Sequence, residues 1–157
     1  MITFSVSALE KAPVRKSGIL SEKFLDLAPD DSFAGNGEGS YDLTASLVSG
    51  GMLLSGRAAI PVKSSCGRCL KEVQISLSEA DLHIFFELAD GQETVEVDEE
   101  LRAELLLNLP MNPLCDAGCR GLCPQCGCDL NEKQCRCEVS SAAGKVSPWS
   151  ALDDLKL

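Results

Sequence analysis

The sequence predicts an α+β protein that is mainly antiparallel β-sheet, arranged as barrel-like hairpins, with one main helix and a C-terminal Cys-rich module. Apolar and polar residues alternate over residues 41–62 and 73–88, which is the period of a half-buried strand. Seven of the nine cysteines fall within residues 115–137. We therefore expect three parts: a β-rich core ending in a helix at 1–110, a Cys-rich module at 111–139, and a linker with a short docking helix at 140–157.

Two hairpins are predicted to build the core, after an opening strand at residues 2–6. In the first hairpin, residues 41–47 pair with residues 52–62 across a Ser-Gly-Gly turn. In the second, residues 73–77 pair with residues 82–88 across a Ser-Glu-Ala-Asp connection. Both hairpins turn one apolar face toward a common core.

Two segments before the first hairpin have weaker patterns. Residues 21–27 fit either a helical turn or a short strand. Residues 29–39 contain three glycines and three acidic residues, which indicates a loop.

One main helix is predicted after a short edge strand at residues 95–97. Asp98 can cap this helix, and two glutamates follow in its first turn, where the helix dipole favours negative charge. Three leucines then share one face at a spacing of four, namely Leu101, Leu105 and Leu109. Pro110 ends the helix.

A short amphipathic helix is predicted near the C-terminal end. Ser147 can cap it, Pro148 suits the first helical position, and Trp149, Leu152 and Leu155 share one side. We expect this helix to dock the only Trp on the body of the protein, although a partner surface could receive it instead.

Composition and charge narrow the classes of function. The net charge of −10 argues against a protein that coats RNA or DNA through sequence-independent phosphate contacts. No apolar run approaches the roughly 20 residues that cross a bilayer, and the N-terminus does not resemble an export signal. We therefore expect a cytoplasmic protein with no membrane partner. Because cytoplasmic thiols stay reduced, its cysteines are expected to be metal ligands or redox groups rather than disulfides.

A zinc site is predicted within the Cys-rich module. A Cys-x2-Cys turn presents two sulfurs to one ion, and Cys123 and Cys126 form such a turn before Gly127. Cys135 and Cys137 can supply the other two ligands of a closed, structural tetrahedron. This layout resembles a zinc ribbon, and an iron–sulfur cluster is the alternative because it uses the same ligands.

A second four-sulfur site is predicted from the remaining cysteines. Cys66 and Cys69 form another Cys-x2-Cys pair, and Cys115 and Cys119 are the available partners. The protein would then hold one or two zinc ions. Cys128 is left over, and it could instead replace Cys126 or a member of the return pair.

Evidence for catalysis in the sequence is thin. A thiol oxidoreductase is the main alternative, but neither Cys-x2-Cys pair lies between a strand and a long helix of a βαβ unit. His83, the only histidine, lies in an apolar strand and is interpreted as structural. Nothing identifies a small-molecule substrate, so we predict a protein that is not an enzyme.

Several short motifs follow one another along the second part of the chain. They occur in this order: Cys66-Gly67-Arg68-Cys69-Leu70, Leu107-Asn108-Leu109-Pro110, Pro113-Leu114-Cys115, Gly121-Leu122-Cys123-Pro124-Gln125-Cys126-Gly127, Leu130-Asn131, Cys135-Arg136-Cys137 and the closing Ser-Pro-Trp-Ser-Ala-Leu-Asp-Asp-Leu. Together they resemble the YceD family, and the resemblance covers roughly residues 40–157. It implies a ribosome biogenesis factor that supports the production or accumulation of 23S rRNA.

The partners that this resemblance implies are 23S rRNA or assembly proteins of the large subunit. Because the chain is acidic, direct RNA contact would need a local patch. This patch would lie either on the hairpin or around the Cys-x2-Cys turn of Cys123 and Cys126, which we call the knuckle. The candidate contacts are Arg57, Lys63, Arg68, Lys71, Arg120, Lys133 and Arg136. Alternatively, the acidic surface could hold a basic ribosomal protein or an assembly enzyme. A zinc-ribbon interaction module in another assembly, such as transcription, is a competing interpretation.

Overall fold

The computed structural model describes residues 1–28 and 32–137. The predicted tail helix and residues 29–31 of the predicted loop lie outside the described residues. The elements, in chain order, are β1 (Thr3–Ser5), α1 (Val6–Leu9), β2 (Val14–Leu20), β3 (Phe33–Gly35), β4 (Gly39–Val48), β5 (Gly51–Ser65), β6 (Glu72–Glu87), β7 (Thr94–Glu96) and α2 (Asp98–Leu107).

The chain forms two compact units. The first is Met1–Cys119, and it contains all the helices and strands just named. The second begins at Arg120, and its described part is residues 120–137. The predicted fold of mainly antiparallel sheet is confirmed in the first unit. None of the helices within the described ranges has the length and apolar character needed to cross a bilayer.

The first predicted hairpin is confirmed as β4 and β5, which pair antiparallel from Val48↔Gly51 to Ser40↔Ala59. β2 pairs along the other edge of β4, and β3 pairs with β5 beyond the end of β4. Finding β3 corrects the prediction that residues 29–39 form only a loop. The opening strand and the edge strand at 95–97 are also confirmed, because β1 and β7 pair as a separate two-stranded sheet.

The second predicted hairpin is wrong, because β6 is one continuous strand that pairs with β5 along its whole length. The Ser-Glu-Ala-Asp segment does not connect two strands. It contains a β-bulge, at which Ala80 and Asp81 lie opposite the single residue Arg57. Buried side chains of β6 therefore change from odd positions, as at Leu77, to even positions, as at Leu82.

The bulge requires unusual backbone geometry in β5. Gly56 takes a φ of 148°, and a Cβ at this position would collide with the carbonyl oxygen of Asp42 on β4. Glycine is therefore the residue that allows β4, β5 and β6 to pack continuously here.

Helix α2 covers the core with the leucine face that the sequence predicts. Leu101 and Leu105 are completely buried, and Leu109 packs at the edge of the same cluster. Asp98 is the first helical residue and not a side-chain cap. Its carboxylate instead accepts a hydrogen bond from the Ile2 N–H at 2.8 Å, which ties the N-terminus to the start of the helix.

Candidate metal centres

The first cluster of cysteines begins in the turn between β5 and β6. Inward-facing side chains alternate along β5, and Cys66 continues this pattern as a fully buried residue. The Cys66 N–H donates to the Lys71 carbonyl at 2.8 Å, and the Leu70 N–H donates to the Cys66 carbonyl at 2.9 Å. Leu70 takes a left-handed φ of 61°, which returns the chain sharply into β6. This turn holds the sulfur of Cys69 close to that of Cys66.

Cys115 and Cys119 come to this turn from the segment that follows α2. The Sγ atoms of Cys69 and Cys115 are 3.5 Å apart, and those of Cys66 and Cys119 are 3.9 Å apart. All four sulfurs lie within 4.8 Å of one another. A Zn–S bond of about 2.3 Å implies sulfurs about 3.8 Å apart in a tetrahedron. The spacing of this cluster therefore fits one zinc-sized ion.

Two hydrogen bonds hold the segment against the turn, and neither could be predicted from the sequence pattern. The Gly67 N–H donates to the Pro113 carbonyl at 2.8 Å. The Arg68 guanidinium donates to the Cys119 carbonyl, also at 2.8 Å. Arg68 was predicted as an RNA contact, and the structure gives it this internal bond. No local signal could have shown it, because its acceptor is a main-chain carbonyl 51 residues away.

The thiols of this first cluster differ in how readily they ionise. Backbone N–H groups of Cys69 and Arg68 donate to the Cys66 sulfur and lower the pKa of this thiol to about 6. Hydrogen bonding to the thiols of Cys69 and Cys119 raises the pKa of Cys115 to about 12. Four thiolates at this spacing repel one another and need a cation. A divalent metal supplies that charge and holds coordinating thiols deprotonated.

The second cluster lies wholly within residues 120–137. The Sγ atom of Cys135 is 3.3 Å from that of Cys123 and 3.5 Å from that of Cys126. With Cys137, these sulfurs form a second group of four within 4.8 Å of one another. The Gly127 N–H donates to the Cys123 carbonyl at 2.8 Å, and Gly127 has a left-handed φ of 70°. This tight turn presents the Cys-x2-Cys half-site.

Cys128 is not among the four mutually close sulfurs, but its thiol contacts them. Its backbone N–H is the main reason that the pKa of Cys126 falls to about 6, and its side chain also contributes. Hydrogen bonding to the Cys126 sulfur raises the pKa of Cys128 to about 12. The pKa of Cys137, which belongs to the group of four, is raised in the same way, so Cys128 differs from the candidate ligands in its position outside that group.

Both groups of four cysteines are chemically suited to hold a metal ion. They offer only sulfur, the soft ligand set that zinc and iron–sulfur clusters share. Among the described residues, no His, Asp or Glu belongs to either group. His83 lies on the exposed side of β6, where its Nδ1 is 3.1 Å from the Asp81 carbonyl oxygen.

The candidate RNA contacts are divided between the two units. Arg57 pairs with Asp42 and Lys63 with Glu72 on the sheet, and Arg68 and Lys71 lie in the β5–β6 turn. The remaining three, Arg120, Lys133 and Arg136, belong to the second unit. Two of these, Arg120 and Lys133, line a cavity beside the second cluster, whereas Arg136 is exposed and does not line it.

Comparison with known proteins identifies the family. A sequence model described as "Large ribosomal RNA subunit accumulation protein YceD" matches residues 54–156, which is more than half of the chain. The chain belongs to the YceD family. The matched region starts within β5 and includes both cysteine clusters. The resemblance predicted from the motifs is thus confirmed.

The curated relatives share about a third of the aligned residues or fewer. An uncharacterized protein of Mycobacterium tuberculosis is 33% identical over a 105-residue alignment that covers 57% of this chain and 50% of the relative. An uncharacterized protein of Mycobacterium leprae is 26% identical over a 128-residue alignment that covers 71% of this chain and 56% of the relative. The chain spans about half the length of these relatives.

A plant relative shares a shorter segment. The protein named "Large ribosomal RNA subunit accumulation protein YCED homolog 1, chloroplastic" from Arabidopsis thaliana is 30% identical over 43 residues, 27% of this chain and 13% of the relative. No solved structure gives a significant match. The family assignment therefore rests on sequence.

Proposed function

We propose that this protein is a non-enzymatic ribosome biogenesis factor that acts in the cytoplasm and supports the accumulation of 23S rRNA. The observation that carries the proposal is the YceD family match across residues 54–156, because that family is named for accumulation of the large-subunit ribosomal RNA. The chloroplastic relative has the same description. Its partners would be 23S rRNA itself or proteins of the assembling large subunit.

The proposal includes one zinc ion at each cysteine cluster. Cys66, Cys69, Cys115 and Cys119 would bind the first ion, and the second cluster would bind the other. Sulfur separations of 3.3 to 3.9 Å support both sites. Four protein ligands complete a zinc tetrahedron and leave no position for a water molecule or substrate. The role of the metal would therefore be structural.

An oxidoreductase is the second candidate, and one observation favours it. Cys126 is exposed and its pKa is lowered to about 6, as in reactive thiols. In the other cluster the thiol whose pKa is lowered to about 6 is Cys66. It is completely buried and cannot meet a protein disulfide. Since lowered thiol pKa values are also a property of metal ligands, the structural role explains both clusters with one chemistry.

Deletion of the gene in the source organism tests the proposed function. We expect the ratio of 23S to 16S rRNA to fall and to recover when the wild-type gene is restored. Co-sedimentation of the protein with large-subunit precursors would support a direct role. An unchanged ratio, together with co-purification with RNA polymerase or catalytic turnover of a dithiol, would refute the proposal in favour of an alternative.

A further inference from the structure

A cavity lies against the second cysteine cluster, and Cys123, Cys135 and Cys137 of that cluster form part of its wall. It has a volume of about 380 Å³, which falls within the range of roughly 300–1,000 Å³ typical of small-ligand sites. The apolar side chains of Pro124 and Leu130 line it together with the carboxamides of Gln125 and Gln134. Arg120 and Lys133 contribute two cations. We propose that this cavity, named here the knuckle pocket, binds one unpaired nucleotide of RNA.

The chemistry of the lining matches the three parts of a nucleotide. Pro124 and Leu130 offer an apolar surface to the face of a base. Carboxamides both donate and accept hydrogen bonds, so Gln125 and Gln134 can read the polar edge of a base exposed in a single strand. The cations of Arg120 and Lys133 complement the flanking phosphates.

The partners of the cationic side chains also favour RNA binding at this pocket over binding at the sheet. In the first unit, Arg15 and Arg57 pair with Asp42, and the other two, Arg68 and Arg102, donate to main-chain carbonyls. Within the described residues, the side chains of Arg120 and Lys133 form no ion pair or hydrogen bond. Cations without a protein partner can bind phosphate without first breaking an internal contact.

The charge of the second unit limits RNA binding to the pocket. Three cations and two carboxylates lie within residues 120–137, and a zinc ion with four thiolates adds two negative charges. General attraction to RNA is therefore weak. Only the rim formed by Arg120 and Lys133 offers positive charge next to an apolar surface, which predicts binding of a single nucleotide and not of a duplex.

The metal would fix the pocket, because its lining residues alternate with the predicted ligands. Pro124 and Gln125 lie between Cys123 and Cys126, and Lys133 and Gln134 immediately precede Cys135. Removal of the ion would separate the two loops that carry the lining. RNA binding should then be lost together with the metal.

Fluorescence anisotropy of full-length, zinc-loaded protein with labelled ten-nucleotide RNAs tests the inference. The probes are U10, A10, C10, a mixed G-containing decamer, and that decamer annealed to its complement. We expect single strands to bind at least tenfold more tightly than the duplex. Arg120→Ala or Lys133→Ala should weaken binding about tenfold, as loss of a hydrogen bond to a charged group implies. Each should also lower the slope of log affinity against log salt by about 0.7.

Two further variants separate the pocket from general charge and from misfolding. Arg136→Ala removes one cation from the same loop without touching the pocket, and it should change affinity less than twofold. Gln134→Leu keeps the charge, so it should leave the salt slope unchanged but alter the ranking of the four single-stranded probes. All variants should retain wild-type zinc content, which shows that the knuckle is folded.

Several results would overturn the inference. These are no binding of any single strand by the wild type, equal affinity for the duplex, or equal losses in Arg136→Ala and Arg120→Ala. The inference rests on the proposed function, but the two can fail separately. If gene deletion lowers 23S rRNA while Arg120→Ala and Lys133→Ala bind RNA like the wild type, only the pocket is refuted.

Discussion

Opening the first metal site should destabilise the β-rich unit strongly. The change is Cys115→Ser combined with Cys119→Ser, which removes two ligands but leaves the β5–β6 turn intact. In the structure the Sγ atoms of Cys69 and Cys115 are 3.5 Å apart although the residues are 46 positions apart in the chain, so a bound ion would link them. At saturating metal, its expected contribution is the cost of closing that loop in the unfolded chain, about 4 kcal/mol.

This contribution converts to a measurable shift in melting temperature. The first unit has 119 residues, Met1–Cys119, so its unfolding entropy is about 250 cal/mol/K. Losing 4 kcal/mol then lowers Tm by about 16 °C. Differential scanning calorimetry measures the shift, and elemental analysis should show about one zinc per chain instead of two.

The matched control is Cys123→Ser combined with Cys126→Ser, which removes two ligands from the other cluster. The second site joins Cys126 to Cys135, only 9 residues apart, so its loop closure gives about 2.6 kcal/mol and acts on the second unit alone. A Cys115/Cys119 variant that melts like the wild type, or that keeps two zinc ions, would refute the assignment of the first site.

The remaining predictions concern the second cluster and the sheet. Cys123→Ser with Cys126→Ser should reduce zinc from about two ions to about one and leave the main melting transition in place; unchanged zinc content would disprove this ligand set. Cys128→Ser should keep both ions, and losing one would make Cys128 a ligand. The hydrogen bond from Arg15 lowers the pKa of Asp42, so the stability it contributes is present above the unfolded pKa of about 3.9 and is lost as pH falls through the lower folded value. Denaturant titrations of Asp42→Asn should therefore show a shallower loss of stability below pH 4 than wild type, and parallel curves would contradict this.

The error at β6 shows what alternation alone cannot decide. A shift of buried positions from Leu77 to Leu82 is expected both for two strands joined by a turn and for one strand with a bulge. The length of the partner decides between them. β5 extends through 15 residues, and its own buried positions keep a single register past Gly56.

β2 was not predicted because two of its inward positions are not apolar. Lys16 lies at one of them: its ammonium donates to the Thr3 carbonyl and lies 5.2 Å from the centre of the Phe4 ring. Gly18 lies at another, where the absence of a side chain leaves room for the Tyr41 hydroxyl. Both positions satisfy the packing of the sheet without giving the alternation by which strands are predicted.

The cysteines were more predictable than the strands. Sulfur chemistry restricts the choices, since a Cys-x2-Cys pair without close partners needs two more ligands from elsewhere. The structure brings Cys66 and Cys69 together with Cys115 and Cys119, the grouping expected from the sequence. Their role as ligands stays a prediction. The hydrogen bond from Arg68 to the Cys119 carbonyl, which holds the two halves of the site together, could not be predicted from the sequence.

The two clusters bring together cysteines at different separations along the chain, so a metal at each would stabilise a different part of the protein. A link across 46 residues stabilises the sheet as a whole, whereas a link across 9 residues orders only a local loop. A second ion would therefore add little to global stability, and we expect its benefit to lie in the surface that it shapes. If the Cys123/Cys126 variant fails to restore 23S rRNA while its main melting transition is unchanged, the defect must come from the knuckle surface and not from unfolding of the sheet.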